Sequence, residues 1–292
     1  MKMADSFQER IGVFYSGLSK GHKKIADFIK NNYEKASFMT AANLGKTVGV
    51  SESTVVRFAS HIGFEGYPEL QKHLQELVKS HLTSVQRMEV AANRMGGDDI
   101  INDAFSADAE MLKRTKESVS REDFFGSVAA INSARKIYVL GARSSASLAS
   151  FAAFYLNYLC ENVILIDTSS TSEMFEQLFR ISEEDVCIAI SFPRYSNQTI
   201  NALSFIKSRG AAIISVTDGK MSPIAQYATY LLVAQSSMVS FVDSLVAPLS
   251  LINALIAACA KENGSKVCEN LSELEEIWDK YHVYRTDEEE RE

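Results

Sequence analysis

Five short runs rich in aliphatic and β-branched residues lie between residues 136 and 234: KIYVLG, NVILID, DVCIAIS, AAIISVTD and TYLLVA. They are close to continuously apolar rather than alternating, the pattern a strand takes when helices cover both faces of its sheet. Helical patterns separate them, most clearly over 145–160, 172–181 and 196–209. Strands alternating with helices in this way predict a three-layer α/β domain built on a parallel, five-stranded sheet. Ligands of such sheets sit beyond the C-terminal ends of the strands, where the strand order switches.

The first 80 residues are of a different kind. They hold no persuasive period-2 run, and apolar residues recur at helical spacing in RIGVFYSGL and KKIADFIKNNY. Thr40 is placed to N-cap AANLGKTV, Gly49 to break it, Ser51 to cap ESTVVRFASHI, and Gly63 to end that second helix. Two short helices around one glycine predict a helix-turn-helix. Leu44, Val48, Val50, Val55, Phe58 and Ile62 then fall inward, and small Gly45 lies where the helices cross. The opposite face, with Ser51 at its start, presents Ser53, Thr54, Arg57, Ser60 and His61, donors suited to phosphates and base edges in a major groove. Pro68 is expected at the first position of a following helix that runs to about residue 82.

Charge divides the same way. Residues 1–80 carry eleven Lys/Arg against eight Asp/Glu, or +3, which leaves −10 of the net −7 for residues 81–292. A mildly basic head on an acidic body is the sign that a DNA reader needs. The expected division is a DNA-binding domain over 1–82, a polar linker over 83–104 containing the chain's Gly-Gly, an α/β domain over 105–285, and an acidic tail over 286–292.

Two of the strand-to-helix turns are rich in hydroxyls. GARSSAS follows the first strand and SFPRYS the third. Helix N-termini offer backbone donors to an anion, Ser144, Ser145, Ser191 and Ser196 add side-chain hydrogen bonds, and Arg194 adds one countercharge. A small anionic metabolite is the expected ligand.

The stretch LGKTVGVSESTVVRFASHIGFEGYPEL resembles the N-terminal domain of the RpiR family of bacterial transcriptional regulators. The body is similar to the sugar isomerase (SIS) domain that follows this head in the family. The resemblance implies a regulator that binds double-stranded operator DNA and responds to a phosphorylated sugar, held by Gly141, Ser144 and Ser145 in the first loop and by Ser191 to Ser196 in the second. Because helix-turn-helix readers pair to span two half-sites one helical turn apart, a homodimer formed through the body, or a homotetramer, is expected. The sequence departs from the family at two places. Gly45 stands where Ala is usual, at a helix-propensity cost of about 1 kcal/mol. In the second loop Pro193, Arg194 and Ser196 replace Ser, Gly and Thr of Ser-x-Ser-Gly-x-Thr.

Other readings fare worse. A sugar-phosphate isomerase is the alternative function, but it needs an acid/base pair, and four of the five histidines (His22, His61, His73, His81) lie in the head and its exit helix, with His282 near the C-terminus. Glu173, the nearest candidate base, has with Ser170 the spacing of a capping box, so no enzyme activity is expected. A dinucleotide site lacks the second and third glycines after Gly141, and Asp167 reads as a strand-end residue. Cys160, Cys187, Cys259 and Cys268 are too far apart for a metal motif and are expected to be reduced, mostly buried thiols; no metal or cofactor is expected. The apolar run at 241–260 contains Asp243, Pro248 and Asn253 and reads as a buried or subunit-facing helix rather than a membrane span. With no secretory signal in MKMADSF, the expected compartment is the cytoplasm.

Overall fold

The computed structural model describes residues 11, 14–79, 83–88, 99–236 and 242–284. The chain divides into two units, residues 1–100 with 238–242, and residues 101–237 with 243–292. The expected acidic tail, 286–292, lies outside the described residues, as do 89–98 of the expected linker. Helix occupies residues 84–88 and begins again at Ile100, so both flanks of that stretch carry helical backbone.

The first unit holds α1 (Lys20–Asn31), α2 (Tyr33–Ser37), α3 (Ala41–Val48), α4 (Glu52–His61) and α5 (Tyr67–Lys79). Ile25, Ile29, Leu44, Val55, Phe58, Ile62, Leu70 and Leu74 are fully buried together, each side chain contributing about 1.5–3 kcal/mol. Val48 and Val50 pack at the margin of that cluster. Tyr67 Oη and Gln71 Nε2 both donate to the Met39 carbonyl (2.7 and 2.8 Å), and Gln75 Nε2 donates to that of Ser37 (3.0 Å). α5 thus satisfies carbonyls left open beyond α2, and burial pushes the Tyr67 phenol up to about 12. Pro68 is the second residue of α5, not the first. Tyr67 must be helical to turn inward, and the missing proline N–H still falls among the first four, which have no partner within the helix.

The second unit begins with α6 (Ile100–Ser118) and α7 (Arg121–Ser133). It then alternates β1 (Ile137–Gly141), α8 (Ser145–Leu159), β2 (Val163–Leu165), α9 (Thr171–Leu178), β3 (Val186–Ile190), α10 (Asn197–Ser208), β4 (Ala212–Thr217) and β5 (Tyr230–Val233). It ends in α11 (Val246–Glu262) and α12 (Gly264–Lys280). All four strand pairings are parallel, in the order β2-β1-β3-β4-β5. Successive residues of β1 serve opposite faces, as the strand's period of two requires. Ile137 and Val139 join a core with α7, α8 and α11, whereas Tyr138 and Leu140 join one with α9 and α10. The 241–260 run supplies α11, with Ala247, Leu251, Ile252, Leu255 and Cys259 buried. Among the described residues no helix is long and apolar enough to cross a membrane.

At the N-terminal end of β3, Asp185 is buried and accepts two hydrogen bonds from Arg135 (Nε 3.0 Å, Nη2 2.8 Å) and one from Ser182 N (2.9 Å). Burial works against the charge, but the Arg135 and Ser182 donors prevail and hold the carboxyl below its usual range. Cys187 and Cys259 are buried, and burial raises both thiols to about 12. Cys160 is half-buried, and Cys268 is exposed, unlike the thiols expected to be sheltered. Trp278 packs edge-on between Tyr158 (6.3 Å) and Tyr284 (5.3 Å) against the outer surface of α8.

Candidate functional site

In the head, Thr40 Oγ1 accepts from Asn43 N (3.2 Å) and Ser51 Oγ from Thr54 N (3.3 Å), so both predicted caps form. Gly49 takes φ +72 between the two helices and Gly63 φ +89 after the second, conformations that favour glycine. A Cβ on Gly45 would lie 2.8 Å from the Val50 carbonyl oxygen. The glycine that weakens α3 by propensity is therefore what lets the turn close onto it.

The outer face of α4 carries Ser53, Arg57, Ser60 and His61, all exposed, while Val55, Phe58 and Ala59 are buried. Arg57 Nε donates to the Ser53 carbonyl (3.2 Å), which holds the guanidinium along the helix towards its N-terminal end. Ser51 is committed to structure, since its hydroxyl also meets those of Ser53 (2.9 Å) and Thr54 (2.8 Å). His22 of α1 is an addition that no local pattern in the sequence could supply. Its ring stands 5.5 Å from that of His61. Burial, then the nearby His61 and Arg57, lower its basicity.

In the body, sequence order runs from β1 outward to β2 on one side and returns to β3 on the other. The switch point is therefore the crevice between β1 and β3, and Gly141 pairs in register with Ile190. The two hydroxyl-rich loops leave the sheet side by side at that crevice. A Cβ on Gly141 would lie 2.5 Å from the Ser145 carbonyl oxygen and 2.9 Å from Ala149 Cβ, so only glycine lets α8 start this close to its strand. Arg143 adopts φ +57 in the intervening turn. Ser145 N and Ala146 N donate to Ala142 O (3.2 Å) and Arg143 O (3.1 Å), which leaves fewer free donors at the start of α8 than an open helix end would have. Ser144 is exposed and Ser145 buried.

On the second loop Ser191 is buried, and its N–H continues the ladder to Val216 O (3.1 Å). Its backbone donor is therefore engaged, and only its hydroxyl remains for a ligand. Arg194 is exposed, and Ser196 begins α10 without a side-chain cap. Tyr195, unassigned in the sequence, reaches across to β4. Its phenol donates to Asp218 Oδ1 (2.6 Å), an oxygen that Thr217 Oγ1 also approaches (3.2 Å). Burial, then the Asp218 charge, raise the Tyr195 phenol far above its ordinary value. Gln198 Nε2 donates to Thr171 Oγ1 (2.6 Å), joining the starts of α9 and α10. Thr199 Oγ1 is buried without a hydrogen-bond partner among the described residues.

Ser170 and Glu173 do not form the predicted capping box. Ser170 precedes α9, but its hydroxyl pairs with that of Ser172 (3.1 Å), and Glu173 is exposed. Asp167 shapes the turn after β2 by accepting from Ser169 N (2.8 Å), a bond that lowers its carboxyl below the usual range. Among the described residues no three His, Cys, Asp or Glu side chains gather as metal ligands.

Two family models match the chain: the helix-turn-helix domain of the rpiR family over residues 6–81, and the SIS domain over residues 130–258. An uncharacterized HTH-type transcriptional regulator of Haemophilus influenzae is 29% identical over 238 residues, spanning 80% of this chain and 81% of its own. The uncharacterized HTH-type transcriptional regulator YfhH of Escherichia coli is 25% identical over 227 residues, 76% and 79% of the two chains. Among solved structures, the sugar isomerase domain of an RpiR transcription factor from Sphaerobacter thermophilus superposes with a TM-score of 0.59 at 27% identity, covering 61% of this chain and 99% of that one. Vibrio vulnificus NanR complexed with ManNAc-6P gives 0.59 at 20% identity, covering 96% and 98%.

Proposed function

Because the chain belongs to the RpiR family of helix-turn-helix transcriptional regulators, we propose that α4 reads operator DNA and that the β1/β3 crevice senses a phosphorylated sugar. The regulatory role is the family's, and the assignment of residues is our reading. Arg57 and Ser53, with Ser60 and His61 further along the same face, contact bases and phosphates, while Ser51 and Thr54 hold the helix entrance. In the crevice the hydroxyls of Ser144, Ser145, Ser191 and Ser196 receive the phosphate oxygens, Gly141 gives them room, and Arg194 supplies the countercharge. The observation that carries this is the pairing of Gly141 with Ile190, which brings two hydroxyl-rich turns to one switch point. NanR, bound to ManNAc-6P, is a protein of this fold holding a sugar phosphate.

The same module also occurs in isomerases, but two observations favour a sensor. The curated relatives are named transcriptional regulators, and histidine is absent from the chain between His81 and His282. The protein works in the cytoplasm, where its DNA is, as a homodimer reading two half-sites. Its functional parts are a DNA-reading head over 1–82, a linker over 83–104 and a sensor over 105–285.

The test is paired: melting temperature and operator affinity, each with and without sugar phosphates, for the wild type and for Ser191→Ala/Arg194→Ala. A sugar phosphate at 100 times its Kd stabilises the native state by about 2.7 kcal/mol. The double variant is expected to lose both responses and keep operator binding. Retention of both responses would place the effector elsewhere.

A further inference from the structure

The start of α1 carries the wrong charge for a helix end. The dipole there favours acidic side chains, yet its first turn has none, and Lys20, His22, Lys23 and Lys24 fall within five residues. This end of α1 lies against α4. A Cβ on Gly21 would sit 3.4 Å from Thr54 Cγ2, and the His22 ring stands 5.7 Å from that of Phe58 and 5.5 Å from that of His61. Phe14 meets the His61 ring edge-on at 6.1 Å, so two neighbours fix that imidazole. His61 lies one turn beyond Arg57 on α4, and both are exposed. The charged groups that act on His22 are His61 and Arg57. On its own side Ser19 accepts from the His22 N–H, Lys23 lies over the Tyr15 ring, and Asp27 is engaged by the Tyr15 phenol. Two imidazoles and a guanidinium therefore crowd one edge of the outer face of α4, and among the described residues no carboxylate acts on His22.

Cations held this close repel one another, and an anion between them removes the repulsion. We propose that His22 and His61 close on one backbone phosphate of the operator, beside the bases that α4 reads, and that His22 takes up a proton as they do so. This rests on the reading of α4 as the DNA-reading helix and adds a contact from outside the helix-turn-helix. Phosphate contacts beside the groove set the register of a recognition helix on the duplex, and the basic start of α1 lies where one such contact is made. In the free protein His22 is held less basic than an ordinary histidine, by burial first and then by His61 and Arg57, so it is neutral at pH 7. A phosphate alongside favours the imidazolium instead, which then donates a charge-assisted hydrogen bond to it. Because the bound state holds more protons than the free one, affinity rises as pH falls, by about tenfold per pH unit at most for one proton.

Operator affinity of the full chain, titrated at fixed salt at about pH 7.5 and about pH 6.0, tests the proposal. His22→Gln keeps a hydrogen-bond donor but cannot take the charge, and circular dichroism at both pH values checks its fold. Between the two pH values the wild type is expected to gain about fivefold or more in affinity relative to His22→Gln. His22→Lys, charged throughout, is expected to bind at the higher pH about as tightly as the wild type does at the lower. Calorimetry in two buffers of different ionisation heat is expected to record proton uptake when the wild type binds DNA, and none when inorganic phosphate replaces the DNA. Equal pH dependence in wild type and His22→Gln would overturn the proposal and leave α4 as the reader. So would a wild type that takes up no proton on binding DNA, whatever the variants do. Uptake driven by inorganic phosphate alone would mark a small-anion site and overturn the assignment to DNA. A chain that binds no operator at either pH would overturn the reading of α4 itself.

Discussion

Arg57 illustrates what single residues can and cannot announce. Its place on the outer face of α4 follows from helical period, because Val55, Phe58 and Ala59 must turn inward. Arg57→Ala is expected to weaken operator binding by about 1–3 kcal/mol, roughly 5- to 150-fold, in a titration at fixed salt, with the helical signal intact. Unchanged affinity would remove Arg57 from the interface. His22 and Tyr195 were not legible, for the same physical reason. His22 meets His61 from 39 positions away, and Tyr195 meets Asp218 from 23, so no local periodicity links either pair. Asp218 did leave one trace, an acid directly after an apolar strand. Gly45 was legible only in part: propensity gave its cost, and only the fold shows the Val50 carbonyl that a side chain would strike.

At the scale of elements, the cap at Thr40 was read correctly, since its partner, Asn43 N, lies three residues on and among the described residues no neighbouring hydroxyl meets its side chain. Thr40→Ala is expected to destabilise the head by about 1 kcal/mol, measured by thermal or urea unfolding. Ser170 had the same spacing signal, but a neighbouring hydroxyl captured its side chain. The five strands were legible because burial on both faces leaves unbroken apolar runs. Their anchoring was not, since Arg135 and Asp185 lie 50 positions apart. Arg135→Ala leaves the buried Asp185 with only its Ser182 donors and is expected to destabilise the fold at pH 7. Asp185 is depressed in the folded protein, so its contribution is present above the unfolded carboxyl value of about 3.9 and is lost as pH falls through the folded-state value. The gap between wild type and variant in urea melts should therefore be full at pH 7 and close in strong acid. A gap that persists in acid would mean that Arg135 acts by packing instead.

For the whole molecule, the sequence singled out the hydroxyl-rich turns after the first and third strands but could not show that they adjoin, because connectivity leaves the order of parallel strands open. The observed β2-β1-β3-β4-β5 order makes β1 and β3 neighbours, and with them two loops some 50 residues apart in the chain. The separation of head from body has a spectroscopic consequence. Trp278 is the chain's sole tryptophan, and it is wedged between Tyr158 and Tyr284 in the second unit. Selectively excited indole emission therefore watches the second unit and is blind to the first, whereas far-ultraviolet ellipticity sums the helices of both. If the two units melt independently, the curves from these probes will not superimpose in urea, and on the proposed function a sugar phosphate is expected to move the emission curve more than the ellipticity curve. Coincident curves, with or without the metabolite, would show instead that the chain unfolds as one cooperative block.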